Sequence, residues 1–313
     1  MARCFVTRRL PGPALGRLAE RHETTVWPER LPPTPAQLRE QLQATRAQGL
    51  ITTVSDTVDA ETLDAAPDLR AIATFAVGYD NIDVAAAAAR GIAVGNTPDV
   101  LTDATADLAW ALLLAVARRL PQGIAAVRDG DWLTWEPSRD LGYAVHGATL
   151  GIIGGGRIGQ AVARRASGFD MDVLIHSRTG GTELGELLAR ADFVSLHCPL
   201  TPETRHLIDD DALGQMQQTA FLINTARGGI VDQAALARAL HAGAIAGAAL
   251  DVTEPEPLPA DDPLLAAPNL LVVPHIGSAT HTAREKMADL AVDNLLAALD
   301  GKPMPHPVAV PVA

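Results

Sequence analysis

Three short segments of this chain each carry a residue type used in acid–base chemistry. Arg227 lies in Asn224-Thr225-Ala226-Arg227-Gly228-Gly229, Glu256 in Asp251-Val252-Thr253-Glu254-Pro255-Glu256-Pro257, and His275 in Pro274-His275-Ile276-Gly277-Ser278. A guanidinium grips carboxylate and carbonyl oxygens with paired N–H groups, and an imidazole exchanges a proton near neutrality. A carboxylate bonded to that imidazole fixes its ring and favours its charged form. The set suits hydride transfer to a 2-oxo acid, with Arg227 holding the acid and His275 protonating the forming alkoxide. The reverse oxidation needs the neutral ring. Singly the residues are ambiguous, since Glu256 also suits a turn cap among Pro255, Pro257 and Pro259, and His275 a core histidine satisfied by backbone.

A source for the hydride is legible upstream. Gly151-Ile152-Ile153-Gly154-Gly155-Gly156-Arg157-Ile158-Gly159 contains G-x-G-x-x-G. Between a strand and a helix, Gly154 and Gly156 bring bare backbone against a pyrophosphate, and Gly159 lets helix and strand pack closely. The pattern alone is weak in a chain with 26 glycines. Its context strengthens it: an apolar run over 148–153 precedes it, Ile158, Val162 and Ala166 follow at helical spacing, and Asp172-Val173-Leu174-Ile175 reads as the next strand. Where NAD-binding proteins place a carboxylate for the ribose 2′-hydroxyl, this chain has Ser177-Arg178-Thr179. A cation between two hydroxyls suits a 2′-phosphate, so NADP(H) is expected, with NAD weaker.

Composition removes other classes. The 313 residues are 48% hydrophobic, enough for two domains with substantial cores. A balance of 25 basic against 37 acidic residues repels polyanions, so nucleic acid is not expected as a partner. Cys4 and Cys198 form no C-x-x-C pattern, which argues against a disulfide framework or zinc site and fits a reducing, cytoplasmic compartment. His197, His206, His241 and His281 lack paired ligand spacing, and no metal is expected. Pro11-Gly12-Pro13 breaks the segment after Arg3, Arg8 and Arg9, leaving no run of signal-peptide length. The apolar stretch 108–117 is far short of the roughly twenty residues a bilayer needs, so it reads as a buried helix and no membrane is expected. Cys198 with Pro199 suits cofactor-wall packing better than a nucleophile, and Lys286 and Lys302, the only lysines, fall near the C-terminal helix.

The elements that must position these groups alternate from end to end. Apolar runs at 5–7, 50–54, 71–75 and 92–94 form one strand series; 150–153, 173–175, 193–196, 220–223, 245–250 and 271–273 form a second. Pro13 and Pro35 mark helix starts, and Asp209-Asp210-Asp211 a solvated one. Asn96-Thr97-Pro98 signals a hinge before a long apolar helix over 104–120, and a second crossing is expected near 281–284. There Met287, Leu290, Ala291, Asn294 and Leu295 form an amphipathic helix, and the segment from Pro303 onward has little strand character. In an open parallel sheet the segments after the strands converge, so Arg227, Glu256 and His275 are expected to share one site.

These segments with the glycine turn resemble the D-2-hydroxyacid dehydrogenase family. Val77-Gly78-Tyr79-Asp80-Asn81-Ile82-Asp83 and the run 96–108 resemble its glyoxylate/hydroxypyruvate reductase branch, and the likeness runs from about Phe5 to Pro307. It implies an α/β protein of two doubly wound parallel-sheet domains, the larger a Rossmann-type dinucleotide-binding domain. Residues 1–97 plus 284–313 would form the substrate-binding domain, and 98–283 the NADP-binding domain, with a dimerisation helix near 98–120 and hence a homodimer. Arg227, Glu256 and His275 would be catalytic, and the amides of Val77 and Gly78 would bind the substrate carboxylate. Thr105, Gly155, Arg157, Ile158, Cys198, Pro199, Thr225, Ala226, Asp251, His275 and Gly277 would line the cofactor, and Trp135 would help shape the substrate pocket. Two departures stand out. Gly155 replaces a common leucine, and the missing acid at Ser177 fits NADPH-using reductases better than NAD-dependent phosphoglycerate dehydrogenase. Other D-2-hydroxyacid, formate or phosphite dehydrogenases, and dinucleotide-sensing corepressors, remain open.

Overall fold

The computed structural model describes residues 1–309. The chain divides into two compact units, Met1–Leu101 with the chain from Ser278 onward, and Thr102–Gly277. The crossings follow Leu101 and Gly277, a few residues from the composition changes at 96–98 and 281–284.

In the first unit, β1 (Arg3–Val6), β2 (Glu23–Val26), β3 (Gly49–Thr52), β4 (Ala71–Thr74) and β5 (Ala93–Gly95) form a parallel sheet ordered β2-β1-β3-β4-β5. Helices α1 (Ala14–Arg21), α2 (Pro35–Thr45), α3 (Ala60–Asp64) and α4 (Val84–Ala89) connect them. Every residue of β3 and β4 is buried, as a sheet covered on both faces requires. Edge strand β2 alternates exposed and half-buried residues without an apolar run, and so leaves no sequence signal. Pro35 opens α2 behind a reciprocal capping pair of Thr34 and Gln37, and Pro13 caps α1.

The second unit starts with α5 (Thr102–Ala117) and α6 (Leu120–Arg128). The single helix expected over 104–120 is broken by Arg119, whose backbone is left-handed at φ 53°. Then follow β6 (Thr149–Ile153), α7 (Arg157–Ala166), β7 (Asp172–Ser177), β8 (Gly180–Gly181), α8 (Leu184–Arg190) and β9 (Phe193–Leu196). The remaining elements are α9 (Asp210–Gln215), β10 (Phe221–Asn224), α10 (Gln233–Ala242), β11 (Gly247–Leu250) and β12 (Leu270–Val272). The strand order is β12-β11-β10-β9-β6-β7-β8, with all six expected strands parallel and β8 an added antiparallel edge. The order in which successive strands are laid down reverses at the boundary between the parallel neighbours β6 and β9, the switch point at which such sheets bind ligands. Helix α5 buries Ala106, Ala109, Trp110, Leu113 and Val116, packs on β10 and β11, and donates from Trp110 Nε1 to the Val162 carbonyl of α7 at 3.1 Å. Full burial of a leucine or valine side chain such as Leu113 or Val116 contributes about 1.5–3 kcal/mol. Among the described residues no single helix is long and apolar enough to cross a membrane.

Helix α11 (His281–Leu299) belongs to the first unit, packs on β3 and β4, and buries Met287, Ala291, Asn294 and Leu295. The following segment does pair, contrary to its proline content. The Val308 amide donates to Val94 O at 2.8 Å and the Asn96 amide to His306 O at 3.1 Å, bridging Gly95 and Pro307. Pro307 needs no amide donor at that edge. Residues 310–313, the end of the segment read from Pro303 onward, lie outside the described residues.

Candidate active site

The glycine turn joins β6 to α7 and is shaped by contacts that exclude a side chain. Gly154 has φ 108°, and a Cβ there would stand 2.4 Å from the Cys198 amide nitrogen; at Gly159 it would stand 2.0 Å from Gly154 O. Gly156 is the N-cap of α7 and offers no side chain to its first amides. Bare backbone at the positive end of a helix fits a pyrophosphate. Gly155, Arg157 and Ile158 complete the turn, and Cys198 and Pro199 follow β9 behind it. Burial pushes the Cys198 thiol up to about 11, so it stays protonated near neutrality. The neighbouring His197 is pushed down to about 4 by burial, and its Nε2 lies 2.8 Å from Ser195 Oγ, so it is a neutral wall group.

Beyond β7 the chain folds straight back into β8, pairing Ser177 with Gly180. Arg178 and Thr179 form the exposed two-residue tip. Ser177 Oγ donates to Gly180 O at 2.8 Å and lies 3.2 Å from Thr179 Oγ1, which braces the tip while Arg178 stays exposed. The hairpin depends on glycine at 181, where a Cβ would stand 2.2 Å from Ile175 O.

The ends of β10, β11 and β12 are tied to one another. Fully buried Asn224 donates from Nδ2 to Arg227 O at 2.9 Å and accepts the Ala226 amide at 3.0 Å, fixing the Thr225-Ala226-Arg227 turn. Half-buried Arg227 bonds Ala226 O through Nη1 at 2.8 Å. A Cβ at Gly228 would stand 2.1 Å from the Thr253 carbonyl, so the arginine turn lies directly against the turn that leads to Glu256. There Glu256 Oε1 accepts the Thr253 amide at 3.0 Å, and Oε2 lies 2.7 Å from His275 Nδ1. Nδ1 is thereby committed, and Nε2 is the nitrogen left to meet a substrate.

Asp251 accepts the amides of Ile276 at 2.6 Å and Gly277 at 2.8 Å, while its carbonyl accepts the His275 amide at 2.9 Å. Burial raises its carboxyl, opposed by those two amides and by the facing His275. Thr105 on α5 lies against Gly277, with its Cγ2 3.4 Å from where a Cβ would stand. Thr225, in the turn that Asn224 fixes, is buried.

Sequence reasoning missed three braces. Gln233 bonds both the amide and carbonyl of Glu254, at 2.6 and 2.7 Å. Arg205 forks onto the Glu254 carboxylate at 2.9 Å through both nitrogens, holding that carboxyl below its usual range. Asn224 was recognisable only as a polar residue ending an apolar strand.

The family model described as D-isomer specific 2-hydroxyacid dehydrogenase, NAD binding domain, matches residues 110–277. The chain is also 48% identical over 316 residues to a glyoxylate reductase of Korarchaeum cryptofilum, covering 97% of this chain and 95% of that one. It belongs to the D-2-hydroxyacid dehydrogenase family. A Thermus thermophilus protein of known crystal structure is 52% identical with a TM-score of 0.93, covering 98% of this chain and 100% of that one. An NADPH-dependent glyoxylate/hydroxypyruvate reductase from Sinorhizobium meliloti, crystallised with NADP and malonate, is 36% identical with a TM-score of 0.86, over 98% and 97% of the two chains. The family's dinucleotide-binding unit thus carries Arg227, Glu256 and His275, and the glycine turn. Val77 and Gly78 belong to the other unit, after β4. Trp135 lies 79% exposed in the stretch between α6 and β6.

Proposed function

We propose that this chain is an NADPH-dependent reductase of small 2-oxo acids, acting on glyoxylate and hydroxypyruvate and giving the D-hydroxy acid where the product is chiral. The observation that carries the reading is the Glu256–His275 pair at 2.7 Å, on strand-end turns that abut the Arg227 turn. The names of the Korarchaeum and Sinorhizobium relatives support the substrate class.

Bound reduced nicotinamide supplies the hydride. Arg227 is assigned the substrate's carboxylate and carbonyl oxygens, and the amides of Val77 and Gly78 are assigned its carboxylate. His275 Nε2 donates the proton to the alkoxide oxygen, and Glu256 holds the ring through Nδ1 while stabilising its charged form. Gly154, Gly155, Gly156, Arg157, Ile158 and Gly159 hold the pyrophosphate, and Thr105, Cys198, Pro199, Thr225, Ala226, Asp251 and Gly277 line the rest of the dinucleotide. Preference for NADP over NAD is assigned to the Ser177-Arg178-Thr179 tip, whose exposed guanidinium suits a phosphate.

The enzyme is read as a homodimer. Helix α6 buries no residue, and Leu120, Ile124, Val127, Trp132, Leu133 and Trp135 are exposed along it and the stretch behind it. So much exposed apolar surface supports a second copy as its cover, with Trp135 then serving the partner's substrate pocket. Free Cys4 and Cys198 accord with a cytoplasmic setting.

The test is a substrate panel of 2-oxo acids, formate and phosphite, followed by the absorbance of NADPH. Glyoxylate and hydroxypyruvate should be reduced fastest. Protein that binds NADPH and turns over no 2-oxo acid would instead be a dinucleotide sensor.

A further inference from the structure

The turn after β4 that carries Val77 and Gly78 is held by a chain of amide side chains extending to the C-terminal segment. Asn96 Nδ2 donates to the Val77 carbonyl at 2.8 Å. The Asn96 carbonyl accepts from Asn294 Nδ2 at 2.9 Å, and Asn294 Oδ1 accepts the His306 amide at 2.9 Å. The Asn96 amide closes the ring by donating to His306 O at 3.1 Å. Asn294 is fully buried on α11, and every bond in this chain lies within the first unit. Gly95 makes room for it: a Cβ there would stand 2.8 Å from both Asn294 Cγ and Met304 Sδ.

Half-buried Asn96, spending its side-chain donor on the turn carbonyl, sets the orientation of a peptide plane. In a planar trans peptide the carbonyl of one residue and the N–H of the next point in opposite directions. Fixing the Val77 carbonyl toward Asn96 therefore aims the Gly78 N–H away from it. The Thr97 amide bonds Ala76 O at 2.8 Å, so the turn is gripped on both sides of Val77 and the plane cannot rotate without breaking a bond.

We propose that Asn96 is a positioning residue for 2-oxo acid binding, presenting the Gly78 amide to the substrate carboxylate, with Asn294 and the 304–308 segment holding Asn96 in place. This rests on the reading that the Val77 and Gly78 amides bind that carboxylate. A misaimed amide weakens ground-state and transition-state binding alike, so the effect falls on KM. Loss of one such bond corresponds to roughly a tenfold change.

The experiment uses Asn96→Ala and the near-isosteric Asn96→Asp, which keeps the shape but faces the Val77 carbonyl with an oxygen. Both leave the backbone bonds to Asn294 and His306 available. KM for glyoxylate should rise about tenfold in each, with kcat changed less than about threefold and NADPH affinity unchanged. A purely structural role would lower the melting temperature and active fraction without that split. In parallel, the Gly78 amide resonance of the 15N-labelled, NADP-saturated enzyme is followed during titration with oxalate. It should shift in the wild type and need about tenfold more oxalate in the variants. Unchanged KM and an unchanged oxalate midpoint in the variants overturn the Asn96 role. A wild-type Gly78 resonance that ignores bound oxalate overturns the carboxylate reading beneath it.

Discussion

Two glycines of the same turn separate what the protein needs from what a ligand needs. At Gly159 a Cβ would stand 2.0 Å from Gly154 O, whereas a carbon–oxygen contact settles near about 3.3 Å, so α7 and the turn must part by roughly 1.3 Å. Gly159→Ala should therefore cost about 1–3 kcal/mol of overpacking and lower the melting temperature by roughly 2–12 °C. At Gly156 no heavy atom lies within 4 Å of the built Cβ, and its φ of −71° and ψ of −170° are open to any residue. A few tenths to about 1 kcal/mol lost at a helix N-cap is offset by about 0.4–1 kcal/mol from a stiffer unfolded chain. Gly156→Ala should thus leave the melting point within about 4 °C of wild type. If Gly156 is bare because a pyrophosphate packs on it, the added methyl should weaken NADPH and NADH alike by about five- to a hundredfold. Thermal melts and fluorescence titrations with both dinucleotides provide the assay. Unchanged affinity for both in Gly156→Ala would refute the close approach, and a drop beyond about 10 °C there would mean crowding inside the protein.

His275→Ala should reduce turnover at least about a hundredfold while sparing NADPH binding, the scale of a lost general acid; near-normal turnover would remove it from that role. Arg178→Asp should shift the ratio of NADP to NAD efficiency toward NAD by about tenfold or more, an effect shrinking with added salt because the tip is exposed. If selectivity is unchanged, another group reads the phosphate. Light scattering should give the mass of two chains for the wild type and of one for a combined Ile124→Glu, Trp135→Asp variant; a monomeric wild type at micromolar concentration would end the dimer reading.

What was legible in the chain follows how each feature is encoded. The six parallel strands of the second unit were readable because a sheet covered on both faces demands continuous apolar runs. Strands β2 and β8 were not, since an edge strand of Glu23-Thr24-Thr25-Val26 and a pair of glycines bury too little to leave a pattern. The break at Arg119 was hidden for another reason: Leu120 and Ile124 continue the apolar composition past a residue whose left-handed backbone ends α5. The bond between Glu256 and His275 was anticipated from strand-end convergence. Asn224 escaped because its work is done on backbone atoms of its own turn, two and three residues on, and Gln233 and Arg205 because theirs is done on a neighbouring turn across long sequence separations. Pairing of the segment after α11 with β5 escaped likewise, since it is a single bridge at Pro307 whose bonds are supplied by the neighbours His306 and Val308.

The carboxylate of Asp251 illustrates stability yielding to placement. At 1% exposure its charged form loses hydration, and its carboxyl is accordingly raised. A raised folded-state value means that its contribution is complete below the ordinary carboxylate range and declines as pH rises through the folded value, so ionised Asp251 supports the fold less than protonated Asp251 does. An apolar residue there would avoid that cost. It would also strand the amides of Ile276 and Gly277, each about 1–3 kcal/mol when buried without a partner. Those amides belong to the turn in which His275 sits at φ 52°, a left-handed conformation costing about 1–2 kcal/mol for a residue with a Cβ. Two charge-assisted bonds at 2.6 and 2.8 Å exceed that strain, and the His275 amide bonded to the Asp251 carbonyl adds a third tie. The imidazole thus meets Glu256 from a backbone that would relax elsewhere if the carboxylate were absent.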